Sequence, residues 1–105
     1  MKILFDQGTP VPLRKYLPSE TIDTVYEKGW HTLQNGDLLL KAEQERYDVL
    51  VTTDGNLSYQ QNLSGRKIGI LVILSTSWPK IEKKVEEIQA ILKRIQPGQY
   101  IEVKI

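Results

Sequence analysis

The sequence predicts a single α/β domain, a three-layer sandwich around a central, mostly parallel sheet. The runs at residues 3–5, Val49–Thr52 and residues 68–74 are almost unbroken Ile, Leu, Val and Phe. They lack the alternation of a half-wetted antiparallel strand, so both of their faces must be covered. Amphipathic stretches separate them, the clearest over residues 79–95, where apolar side chains recur at helical spacing. At 105 residues the chain holds one domain, residues 1–105, and not a second.

Taken in order, residues 3–5 form the first strand, expected inside the sheet. Thr9 can cap a short helix with Pro10 in its first turn, where the missing N–H is no loss. Leu13 and Leu17 then face the sheet, and Pro18 stops the helix. Residues 21–26 alternate polar and apolar and suit a strand nearer an edge. A helix over residues 37–46 offers Leu38, Leu39 and Ala42 to the core. Val49–Thr52 and residues 68–74 are the third and fourth strands. Ser77 or its neighbour caps the helix at 79–95, whose Ile81, Val85, Ile88, Ile91, Leu92 and Ile95 form one face, and Pro97-Gly98 ends it. Residues 100–105 alternate Ile101, Val103 and Ile105 with Glu102 and Lys104, as expected for a half-exposed strand at the other edge or across the sheet end.

Composition narrows the functions. Fourteen Lys and Arg against 13 Asp and Glu exclude a protein that holds nucleic acid by bulk charge. The absence of cysteine removes disulfides, thiolate metal sites and thiol nucleophiles. Asp6 interrupts the first apolar run too early for a signal peptide. The longest apolar stretch, 68–74, falls far short of the ~20 residues a membrane helix needs. A cytoplasmic protein without membrane contact is expected.

Acidic residues carry the functional signal. In open α/β sheets, reactive groups gather beyond the carboxyl ends of the strands. Asp6 stands there after the first strand and Asp54 after the third, with Asn56 two residues on. Asp37, opening the second helix, is expected to point into the same crevice. Converging carboxylates repel one another unless a cation lies between them. A hard ion such as Mg²⁺ or Mn²⁺ meets that need with oxygen ligands. Taken singly, each Asp also reads as a turn former or a helix-start residue. His31 beside Trp30 reads as structural or exposed, and Tyr59-Gln60-Gln61-Asn62 as a polar loop near the mouth. No phosphate loop, dinucleotide fingerprint or zinc spacing is present.

Ile3-Leu4-Phe5-Asp6-Gln7-Gly8-Thr9-Pro10 and Val49-Leu50-Val51-Thr52-Thr53-Asp54-Gly55-Asn56-Leu57 together carry a resemblance to the small PIN-like proteins of bacteria, the family DUF5615. The likeness spans the chain, including Asn35-Gly36-Asp37-Leu38-Leu39 and Gln60-Gln61-Asn62-Leu63. PIN domains are metal-dependent ribonucleases, many of them toxins neutralised by a small partner protein. The resemblance implies metal-binding acids at Asp6, Asp37 and Asp54, with Asp54 in a Thr-x-Asp motif behind Thr52. Asn56 holds the place of the last acid, and Gln7 stands where many relatives have Glu. An amide oxygen can ligate a metal but neither neutralises it nor acts as a base.

The resulting expectation is a Mg²⁺- or Mn²⁺-dependent endoribonuclease, with Asp6, Asp37, Asp54 and Asn56 as its catalytic set. RNA is its expected substrate, and Arg66 and Lys67 are candidates for holding flanking phosphates. The alternatives are a non-catalytic PIN-like module that binds a small antitoxin-like protein, and a phosphotransfer domain with a receiver-like acidic pocket. So thin a core also predicts a homodimer or a complex with a small partner.

Overall fold

The five strands run in one direction in the computed structural model, which describes residues 1–57 and 65–105. They are β1 (Lys2–Phe5), β2 (Thr21–Thr24), β3 (Val49–Thr52), β4 (Gly69–Ile73) and β5 (Tyr100–Val103), in the order β2-β1-β3-β4-β5. Every neighbouring pair is parallel, with Ile3 opposite Ile22 on one side and Val49 on the other. The first strand therefore lies inside the sheet, and the alternating second and last strands take its two edges, as their patterns predict.

Side chains leave the pleat on alternate faces, and each face builds its own core. Ile3, Phe5, Val49, Val51, Leu71, Ile73 and Val103 face one layer, which includes Leu13, Ile81, Ile88 and Leu92. Leu4, Leu50, Ile70 and Val72 face the other, which includes Val25, Leu38, Leu39, Ala42 and Tyr47. Burial on both faces explains why β3 and β4 contain no exposed residue. Trp30 packs half-buried against the second layer, as a loop anchor should.

The helices depart from the sequence expectation at their ends. The strand expected over 21–26 stops at Thr24, which accepts from the Glu27 N–H while Glu27 accepts from the Thr24 N–H. This reciprocal cap starts α1 (Val25–Lys28), a helix the sequence pattern does not predict, and so ends the strand two residues early. Thr9 does not cap the following turn. Its hydroxyl donates to the Val51 carbonyl at 3.0 Å, Pro10 takes the cap position, and Val11–Tyr16 is a 3-10 helix. The helix α2 spans Asn35–Gln44 rather than 37–46. The long helix is broken into α3 (Trp78–Glu82) and α4 (Val85–Arg94), with a turn at Lys83 and Lys84. Ser77 stands at the start of α3, but its side chain makes no capping bond. Among the described residues no helix is long and apolar enough to cross a membrane.

Candidate functional site

The strand order reverses between β1 and β3: the chain leaves β1 for β2 on one side and returns to β3 on the other. At such a switch point the connections diverge and open a crevice at the carboxyl ends. Asp6 and Asp54 follow these two strands.

Thr52, the last residue of β3, joins them. It is completely buried, donates its hydroxyl to Asp6 Oδ2 at 2.9 Å and accepts from the Asp54 N–H at 3.1 Å. The other oxygen of Asp6 accepts from the Gln7 N–H at 2.8 Å. Asp54 Oδ1 accepts from the Asn56 N–H at 3.0 Å, and Oδ2 from the Asn35 side-chain amide at 3.1 Å. Burial pushes the Asp6 carboxyl above its ordinary value, against the hydrogen bonds from Thr52 and Gln7, and the charge of Asp54 adds to the rise. Desolvation, rather than repulsion between the two acids, is the chief cause of that rise.

Asp37 occupies different surroundings. It lies on the third residue of α2, exposed, and among the described residues no three acidic or histidine side chains form a metal-holding group. The amide of Asn35, on the first residue of that helix, reaches Asp54 instead. Successive helical residues turn by about 100°, so a position two residues on points roughly 200° away. Asn35 toward the site therefore means Asp37 toward solvent. Asn56 is exposed and contributes its backbone N–H to Asp54.

The donor set fits a hard divalent ion. The charged ligand atoms are the carboxylate oxygens of Asp6 and Asp54, and each accepts one hydrogen bond from the described residues. Among the described residues neither carboxylate has a cationic partner.

A cleft of about 230 Å³ adjoins Asp6, with Gln7, Thr9, Thr24 and Tyr26 in its walls. Tyr26 is 67% exposed and stacks on His31, with ring centroids 4.8 Å apart and planes 12° apart. Gln7 fastens the next loop by donating its side-chain amide to the His31 carbonyl. Beyond it, Lys28 and Lys41 lie over the Trp30 ring at 5.3 and 5.8 Å. His31 is thus part of an aromatic and basic flank, which the sequence reading missed. The clue was the spacing Tyr26, Lys28, Trp30, His31, an alternation of rings and cations. Arg66 and Lys67 lie before β4, at the opposite end of a parallel sheet, and Arg66 is paired with Glu43 at 2.8 Å. The stretch Tyr59-Gln60-Gln61-Asn62 lies outside the described residues.

No protein-family model, curated protein or solved structure matches the chain. The PIN-like resemblance therefore rests on its sequence motifs.

Proposed function

We propose that the chain is a Mg²⁺- or Mn²⁺-dependent endoribonuclease of PIN type, working at the crevice between β1 and β3. The observation that carries this reading is the linking of Asp6 and Asp54 through the buried Thr52 hydroxyl, with no cationic side chain paired to either carboxylate among the described residues. Asp6 and Asp54 would hold the ion, and Asp37 would act only through water from its exposed place. The bound ion would supply the positive charge that polarises a phosphate and lowers the pKa of water. Thr52 donates to the Asp6 carboxylate and holds the Asp54 backbone N–H, the Asn35 amide orients the Asp54 carboxylate, and the backbone N–H groups of Gln7 and Asn56 hold the remaining oxygens. Tyr26 and His31 would offer exposed ring faces for unstacked bases, and Lys28 and Lys41, lying over the half-buried Trp30 ring, would offer charge for the backbone.

The amides at Asn35 and Asn56 favour a second reading, a metal-binding relative without turnover that serves as a module for a small antitoxin-like partner or a second copy. Two carboxylates neutralise one divalent ion and provide no spare base.

Melting temperature against Mn²⁺, with cleavage of single-stranded RNA followed in the same samples, tests both readings. Wild type should be stabilised as metal rises above its dissociation constant. Asp54→Asn should lose that response, while costing the apo fold about 1 kcal/mol for one lost hydrogen bond. Equal responses from the two proteins would refute the metal site. A response confined to wild type, without RNA cleavage, would select the non-catalytic reading.

A further inference from the structure

A second cleft, of about 560 Å³, opens at the amino end of the sheet, away from the acid pair. Its floor is apolar: Val49 and Ile68, where β3 and β4 begin, together with Tyr47 and Ile95, are all buried. Glu43, Arg46, Asp48 and Lys67 stand in its walls.

These four charges are unequally committed. The Glu43 carboxylate accepts from Arg66 Nη1 at 2.8 Å and from the N–H groups of Lys67 and Ile68 at 2.7 and 3.4 Å. Asp48 Oδ2 accepts from the Lys2 N–H at 2.7 Å. The Arg46 and Lys67 side chains have no ion-pair partner among the described residues. Glu43 is thus neutralised by Arg66 and one oxygen of Asp48 is held by a backbone N–H, whereas Arg46 and Lys67 line the cleft without an ion-pair partner among the described residues.

Arg46 also stands where another residue would fit better. The chain leaves α2 through a Schellman turn, with the Arg46 N–H on the Glu43 carbonyl and the Tyr47 N–H on the Ala42 carbonyl, both at 3.0 Å. Arg46 takes the left-handed position with φ of 62°, and is the sole non-glycine residue with positive φ among those described. Glycine is the usual occupant, because a Cβ there is strained.

We propose that this cleft binds a small amphiphilic anion, an aromatic or branched aliphatic body carrying one carboxylate or phosphate, with Arg46 gripping the anionic group and Lys67 beside it. The volume lies in the range of small-molecule sites, about 300–1,000 Å³. The apolar floor of Tyr47, Val49, Ile68 and Ile95 suits the body, and a planar guanidinium suits either head group through paired hydrogen bonds. The proposal is independent of the metal site, which lies at the other end of the strands.

The test titrates 2-naphthoate and 2-naphthyl phosphate into the full chain, with neutral 2-naphthylmethanol as control, and follows the amide signals of Val49 and Ile68. Arg46→Gly is the decisive variant, because it removes the guanidinium and relieves the left-handed strain, so it should melt no lower than wild type. At least one anion should bind wild type more tightly than the alcohol does, and the tighter anion identifies the head group. Its affinity should fall about tenfold in Arg46→Gly, the worth of one charge-assisted contact, and less in Lys67→Ala. The proposal is overturned if neither anion binds, if the alcohol binds equally well, or if Arg46→Gly binds unchanged. It is also overturned if sedimentation finds a wild-type dimer that Arg46→Gly converts to monomer, because the cleft then belongs to a second copy.

Discussion

At the carboxyl end of the sheet Asp6 and Asp54 are linked through Thr52, and at the amino end Glu43 is paired with Arg66, while among the described residues neither the two acids nor Arg46 and Lys67 have an ion-pair partner. The same strands separate the two chemistries. In an all-parallel sheet every residue following a strand lies at one end and every residue preceding a strand lies at the other. Position relative to the strand therefore sorts charges that lie close in sequence. Lys67 precedes β4 and cannot serve the acid pair, although it is only 13 residues from Asp54.

Two glycines at opposite ends break this comparison most sharply. A Cβ on Gly98 (φ 80°) would stand 2.8 Å from the Arg66 carbonyl oxygen, and one on Gly8 (φ 86°) would stand 2.7 Å from Thr53 Oγ1. The first obstacle is backbone and must move as a unit, whereas the second is a hydroxyl that rotates. Gly98→Ala is expected to cost about 3 kcal/mol and Gly8→Ala about 1–2 kcal/mol in urea unfolding. The reverse order would show that the acid end is the more rigid.

The pH dependence of stability sharpens the same contrast on a smaller scale. The Asp6 carboxyl titrates higher in the folded chain than in the unfolded one. Its contribution to stability is therefore greatest in acid and is lost as pH rises through the folded value. Asp6→Asn should accordingly raise the melting temperature at neutral pH, with the gain disappearing below the ordinary carboxylate range. Melting curves that show a loss at neutral pH would mean that the Thr52 and Gln7 bonds outweigh burial.

Glu27 has the opposite sign and the smallest effect. The Arg14 guanidinium holds its carboxyl down at about 2, with help from the Thr24 N–H. That contribution is present above the ordinary Glu value and is lost as pH falls toward the folded one. Glu27→Gln should lower the melting temperature slightly at pH 7 and make no difference near pH 2.

The strands were legible because burial on both faces writes itself as unbroken Ile, Leu and Val, and the alternation of residues 21–26 and 100–105 marked the edges, although the strands themselves are shorter. Helix starts were not legible, because local side-chain bonds decide them. Glu27 reaching back to Thr24 turned Val25 and Tyr26 from strand to helix. A start at Asn35 instead of Asp37 exchanged an amide for a carboxylate at the site. Asp6 and Asp54 lie beyond the carboxyl ends of β1 and β3, as the strand pattern predicts, whereas the linking role of Thr52 and the aromatic flank depend on side-chain hydrogen bonds and on how the Trp30 and His31 loop folds back.

Thr52 and Asp6, joined by one hydrogen bond, are 46 residues apart in the chain. Closing so long a loop costs entropy before any contact repays it. Asp6 precedes β3 in the chain, and without β3 the strand β1 has only β2 to pair with. A fragment ending before Val49 has Asp6 but neither the hydroxyl that holds it nor the carboxylate that faces it. The acid pair comes into being only with the pairing of β1 and β3, so a nascent or clipped chain carries no trace of its chemistry.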